Sequence, residues 1–151
     1  MKRSLLVLFA FVTLPFAAAQ PGGYLGIRLA GGTALDETAE TLPFLGIQAG
    51  ILFTSFELRL TADTFLFASA AHADVLYTQW FSSDVRGYVG GGFDTYSNVF
   101  VGESNPGVHA TAGIEYRTGS VGLFVEGQPI YALNPSAVRG RVGLGINFLL
   151  F

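Results

Sequence analysis

The sequence has no cysteine and only one tryptophan, and charged residues make up 13% of it. Without cysteine there is no disulfide framework, no thiolate metal site and no lipid-modified amino-terminal cysteine. Lysine is absent after Lys2, and six arginines then face eleven acids, a formal net charge of −5 over residues 20–151. Such a chain is poorly suited to neutralising a phosphate backbone, so no nucleic acid is expected as a partner. Half of the residues are apolar, yet no run beyond residue 19 approaches the roughly twenty that a membrane helix needs. Residues 20–151 can therefore enter a bilayer only as a closed sheet, which pairs every backbone polar group.

Residues 1–19 read as a cleaved export signal. Lys2 and Arg3 supply its positive start, and residues 5–14 supply an apolar core too short to span a membrane. Pro15 follows that core, and Ala17, Ala18 and Ala19 supply small residues for cleavage after Ala19. The expected organisation is a signal peptide over 1–19 and one domain over 20–151.

Beyond that point the chain divides into eight runs in which apolar residues alternate with polar residues or glycine, the period of a strand with two unlike faces. The runs cover residues 23–31, 44–52, 55–63, one around 71–78, 85–93, 107–117, 121–129 and 140–151. Leu25, Ile27 and Leu29 thus oppose Gly26, Arg28 and Ala30, and Phe56, Leu58 and Leu60 oppose Glu57, Arg59 and Thr61. Arg28, Glu57, Arg59, Asp63, Asp74, Arg86, Glu115, Arg117, Glu126 and Arg141 all fall on the polar phase, and no ionisable residue falls on the apolar phase within a run. Connections after the even runs read as short. Those after the odd runs read as longer, the longest being 94–106. Gly119-Ser120 fits a two-residue type II′ hairpin that pairs Thr118 with Val121.

Alternation alone does not say which face looks inward. Glycines 26, 46, 50, 90, 92, 113, 122, 143 and 145 lie on the polar phase, against 87, 91 and 127 on the apolar phase. The wall of a narrow cylinder needs small residues among a few long ones, whereas a solvated face gains nothing from glycine. The polar phase also balances five arginines with five carboxylates, as an enclosed network requires. The remaining acids (Asp36, Glu37, Glu40, Asp84, Asp94 and Glu103) read as connection residues. Phe44, Tyr77, Trp80, Phe93, Tyr116 and Phe148 stand near run ends, where an interfacial aromatic girdle belongs. The expectation is an all-β, eight-stranded, antiparallel up-and-down transmembrane β-barrel. The alternative is a secreted soluble barrel with its aliphatics inside around a small hydrophobic ligand.

The pattern resembles the small eight-stranded outer-membrane barrels of the OmpA-transmembrane-domain and OmpX type, from the signal peptide to the ending VGLGINFLLF. The resemblance implies both chain ends on the periplasmic side and outward-facing longer connections. It also implies contact with outer-membrane lipid and the barrel-assembly machinery, and a monomer. The terminal Phe151 would be the residue that machinery reads. In the family pattern alternate apolar residues share the phase of that aromatic. Here Leu149 does, but Asn147, Gly145 and Gly143 do not, so either a bulge shifts Phe151 or it does not face lipid. A structural, envelope-integrity or adhesion-like role follows, with a plugged lumen and room for a surface partner at the outward loops.

No motif calls for catalysis or a cofactor. Arg28, Glu57, Arg59, Arg86, Glu115, Arg117, Glu126 and Arg141 are expected to form a stabilising charge network in the lumen, since eight strands leave no open channel. His109 and Thr111 with Glu115 or Glu126 faintly resemble the His-x-Ser pair of outer-membrane lipid deacylases, but threonine replaces serine and both residues belong to the inner phase. His72 and Asp74 on one strand are too few for a metal site, and Asp36, Glu37 and Glu40 are an acidic loop that calcium could use. Gly90-Gly91-Gly92 lacks the lysine and following helix of a phosphate loop.

Overall fold

The computed structural model describes residues 22–34, 42–66, 68–98, 103–133 and 136–150. Residues 1–19 with the cleavage position Ala19, the acids Asp36, Glu37 and Glu40, and Phe151 lie outside them. Eight strands follow one another: β1 (Gly22–Ala34), β2 (Leu42–Leu52), β3 (Phe56–Phe65), β4 (Ala68–Trp80), β5 (Val85–Asn98), β6 (Glu103–Thr118), β7 (Val121–Leu133) and β8 (Ser136–Leu149). Each pairs antiparallel with the next, and β8 returns to pair with β1, so the up-and-down sheet closes without an edge. Closure pairs the backbone groups of every strand on both sides, the condition for a sheet in hydrocarbon.

The two faces sort as the alternation requires. Leu60 is 66% exposed and Ile47 65%, whereas Arg59 is 2% exposed and Glu115 0%. Leu25, Ile27, Leu58, Leu123, Val125, Val142 and Leu144 join the outer belt, which runs round all eight strands. Inside, charged and amide side chains from every strand fill the cylinder. This is the reverse of a water-soluble protein, in which arginine and glutamate are almost never fully buried. The chain is an eight-stranded antiparallel barrel of the transmembrane type. A soluble barrel holding a greasy ligand needs the opposite distribution.

Glycine makes the crowded interior feasible. Tyr24 stands opposite Gly50, Tyr88 opposite Gly113 and Phe124 opposite Gly145 in the strand registers. A Cβ at any of these glycines would overlap the facing ring. Arg28 likewise lies between Gly46 and Gly145 on its two neighbouring strands. Large side chains therefore lean across the bare backbone of an adjacent strand, an arrangement known to pin register in sheets.

The turn after β6 is the one its sequence specifies: Thr118 pairs with Val121, and Gly119 has φ +58°. No positive φ occurs at Ser120, which fits type II′ rather than type I′. The β6–β7 ladder skips Ala110 and Thr111, opposite Pro129 and Gln128, because proline offers no N–H there.

Three expectations change. The predicted long connection 94–106 is mostly strand, since β5 continues to Asn98 and β6 begins at Glu103, paired throughout. Consequently Asp94 is not a connection residue; it is buried in the lumen. The connections at 66–67 and 134–135 are no longer than those at the opposite end, so connection length alternates less than predicted and 35–41 is the longest. Of the six girdle aromatics, Phe93, Tyr116 and Phe148 face outward and Tyr77 packs edge-on against the exposed Phe56. Phe44 instead turns inward to a small apolar cluster with Ala30, Ala68, Phe65 and Tyr96, and Trp80 lies under the Arg117 guanidinium at 4.8 Å. Both stand on the inner phase, where strand parity outweighs proximity to a run end. β8 stays in one register with β1 and β7 through Leu149 and Phe148, so no bulge shifts its phase among the described residues.

Candidate functional site

The lumen holds three linked clusters. At the end near the chain termini, Glu57 on β3 accepts the Tyr24 hydroxyl proton at 2.5 Å and pairs closely with Arg86 on β5. Arg86 also donates to Glu115 at 2.9 Å, and Arg117, two residues along β6, closes on the other Glu115 oxygen. Asn147 donates to Glu115 at 2.7 Å and accepts from Gln48 at 2.7 Å. Two carboxylates thus meet two guanidiniums, with amides and a phenol occupying remaining hydrogen-bonding positions. Buried ions persist only in such company.

The middle cluster centres on Glu126 of β7. Arg59 donates to it at 2.7 Å and Tyr88 at 2.9 Å, while the Arg28 guanidinium lies 3.1 Å away. Arg59 also faces Asp74 at 3.4 Å, and Arg28 faces Asp63 at 3.4 Å. The Tyr88 ring joins this level to the one below, with Arg59 and Arg86 each 5.4 Å from its centroid. Side chains from opposite strands thus meet across the lumen at mid-height.

Towards the other mouth the cluster changes character. Asp74 accepts from His109 Nε2 at 2.6 Å and from Thr111 at 3.0 Å. His72 Nε2 lies 3.2 Å from Asp63, and its Nδ1 lies 2.6 Å from Asp94. Arg141 reaches His72 Nε2 at 2.5 Å and Asp94 at 3.2 Å. The two imidazoles meet edge to face at 5.7 Å.

All eight charged residues singled out from the sequence project into the lumen, and each contacts at least one group of opposite sign. Sequence reasoning missed the rest of the far cluster. Strand spacing groups His72 with Asp74, yet the partners of His72 are Asp63, Asp94 and Arg141, while Asp74 holds His109. Their inward phase was legible, but not their heights in the cylinder. Tyr24, Tyr88, Gln48, Gln128 and Asn147 carry the same phase signal and join the network from inside the cylinder. The nucleophile–base reading fails on geometry: Thr111 gives its proton to Asp74 and accepts from Gln128, while the imidazole of His109 is held by Asp74 rather than by the hydroxyl.

An outward hydrocarbon belt around a sealed ionic core defines the class of small eight-stranded transmembrane barrels. No protein-family model matches the sequence, and no curated protein matches it. Solved structures do. Neisserial surface protein A is 16% identical with a TM-score of 0.65, over 84% of this chain and 96% of that one. Ail, the attachment invasion locus protein of Yersinia pestis, solved with the heparin analogue sucrose octasulfate, is 11% identical with a TM-score of 0.59, over 87% and 100%. The amino-terminal barrel domain of OprF from Pseudomonas aeruginosa is 18% identical with a TM-score of 0.57, over 85% and 100%. At these identities the likeness is one of fold.

Proposed function

We propose that the protein is a non-enzymatic, monomeric integral protein of a bacterial outer membrane with a structural, envelope-stabilising role. Export through the amino-terminal signal and insertion by the barrel-assembly machinery belong to this reading, with outer-membrane lipid as the principal contact. The observation that carries it is the inversion of polarity: exposed apolar side chains on every strand, and a crosswise arginine–carboxylate network inside. Eight strands plugged by that network leave no conducting path. Membrane fractionation followed by gel electrophoresis with and without boiling tests it. The expected result is a membrane-bound species that needs detergent and whose mobility shifts on heating. A detergent-free soluble monomer overturns the reading.

A surface-interaction role is the second reading, supported by the β5–β6 hairpin, whose second strand, with 16 residues, is the longest in the barrel. The connection at 35–41 carries Asp36, Glu37 and Glu40, and this part of the chain has no lysine. That charge disfavours a polyanion such as the one bound to Ail and favours a cationic partner.

A further inference from the structure

We infer that the far mouth of the lumen is a binding site for one divalent transition-metal ion of the zinc class, held by His72, Asp94 and His109. One donor atom from each of these three buried residues lies within 4.8 Å of the others. The register builds the site: His72 and Asp94 are direct cross-strand partners on β4 and β5, and His109 on β6 stands opposite Gly92, two residues before Asp94. No other described strand contributes a donor, so the three ligands come from contiguous sheet.

The tautomers point the same way. Asp74 can only accept, so the 2.6 Å contact places the proton of His109 on Nε2 and leaves a lone pair on Nδ1. That Nδ1 is buried and has no hydrogen-bond partner among the described residues. A buried nitrogen lone pair without a hydrogen-bond donor is free to ligate a cation. At His72 the placement matches although the tautomer differs: Asp63 lies 3.2 Å from Nε2, and Nδ1 faces Asp94 with the Arg141 guanidinium 3.0 Å away. Each imidazole therefore has a carboxylate behind it, the outer-shell pattern that fixes and strengthens metal-binding histidines.

Among the described residues six inward-phase arginines (Arg28, Arg59, Arg86, Arg117, Arg139 and Arg141) face six carboxylates (Glu57, Asp63, Asp74, Asp94, Glu115 and Glu126), so an added ion takes the position of an arginine. That arginine is Arg141, which donates to His72 Nε2 and Asp94. While it does so, the His72 proton sits on Nδ1 towards Asp94. Binding moves this proton to Nε2, where Asp63 accepts it, and Arg141 withdraws, so no net proton is released. The side chains of Arg141 and Asp94 retain slight exposure, unlike the fully sealed Glu57 and Glu115, and this gives an ion its way in. Two imidazoles and one carboxylate suit zinc, nickel or copper, whereas calcium and magnesium prefer oxygen ligands alone.

The test uses the untagged full-length barrel, folded in detergent, stripped with chelator and titrated with zinc by calorimetry. The expected result is one ion per chain. The chain contains only two histidines, so side-chain imidazole NMR is unambiguous: one equivalent of zinc shifts both ring systems together. Asp74→Asn weakens binding about 10–100-fold through the lost outer-shell carboxylate. His109→Gln abolishes the one-to-one site, and Arg141→Gln tightens it by removing the competing cation. Heat-shifted mobility confirms that each variant is folded. No saturable uptake by the unaltered barrel, or uptake that leaves both imidazole signals in place, overturns the inference. So does a folded His109→Gln barrel that binds zinc as the parent does.

Discussion

Arg59 and Glu126 belong to β3 and β7, opposite staves of the eight-stranded cylinder, and their side chains meet across the lumen at 2.7 Å. Arg141 on β8 and His72 on β4 form a second such crossing nearer the far mouth. These struts tie together strands that share no backbone hydrogen bonds, so the wall's shape is set by side chains as well as by the ladder.

Removing the acid from the first strut is costly. Glu126→Leu leaves Arg59 and Arg28 buried without their shared carboxylate, and breaking a buried pair in this way costs roughly 3–5 kcal/mol. The thermal midpoint in detergent, followed as loss of the heat-shifted gel species, falls by several degrees or more. Glu126→Gln keeps an acceptor for Tyr88 and loses less. An unchanged midpoint for Glu126→Leu contradicts an enclosed network.

Tyr24 and Gly50 are coupled by space. Gly50→Val drives a side chain into the Tyr24 ring, and overpacking of this kind costs about 1–3 kcal/mol. Tyr24→Ser costs stability by itself, through the bond lost to Glu57. In a double-mutant cycle read by urea unfolding in vesicles, the paired variant is less destabilised than the sum of the two singles. Gly127→Ala, with open space around it, serves as the neutral control.

The outer belt tolerates charge poorly. Ile47 lies at the centre of β2 and is 65% exposed. An arginine there meets hydrocarbon and costs about 2–4 kcal/mol at the bilayer midplane. The folded fraction of Ile47→Arg in lipid vesicles drops, while Ile47→Val remains close to the parent. Equal folding of the arginine variant in vesicles and in water-soluble form contradicts a lipid-facing belt.

Gly119 sits at φ +58° in the β6–β7 turn. A β-branched residue in that left-handed region is strained by about 1–3 kcal/mol, whereas asparagine adopts it more easily. Gly119→Val slows folding into vesicles and lowers the midpoint, and Gly119→Asn has the smaller effect. The expected order is measured by tryptophan fluorescence of Trp80 during insertion.

Most of the wall was legible in the chain itself. Strand periodicity is local, so eight alternating runs, their phases, the Gly119 turn and the inward set of arginines and carboxylates can all be read from neighbouring residues. The glycines added the direction, because only a crowded interior has use for so many residues without side chains. Tertiary structure decided the partnerships. Closure brings β3 to β7 and β4 to β8, and the stagger between strands sets the height of each side chain, so residues far apart in sequence, such as Arg59 and Glu126, meet with no local signal. The same pairing drew Asp94 out of a supposed connection, turned Phe44 and Trp80 inward, and brought His72, Asp94 and His109 within reach of one another. Periodicity fixes which way a side chain points; only the closed register fixes what it finds there.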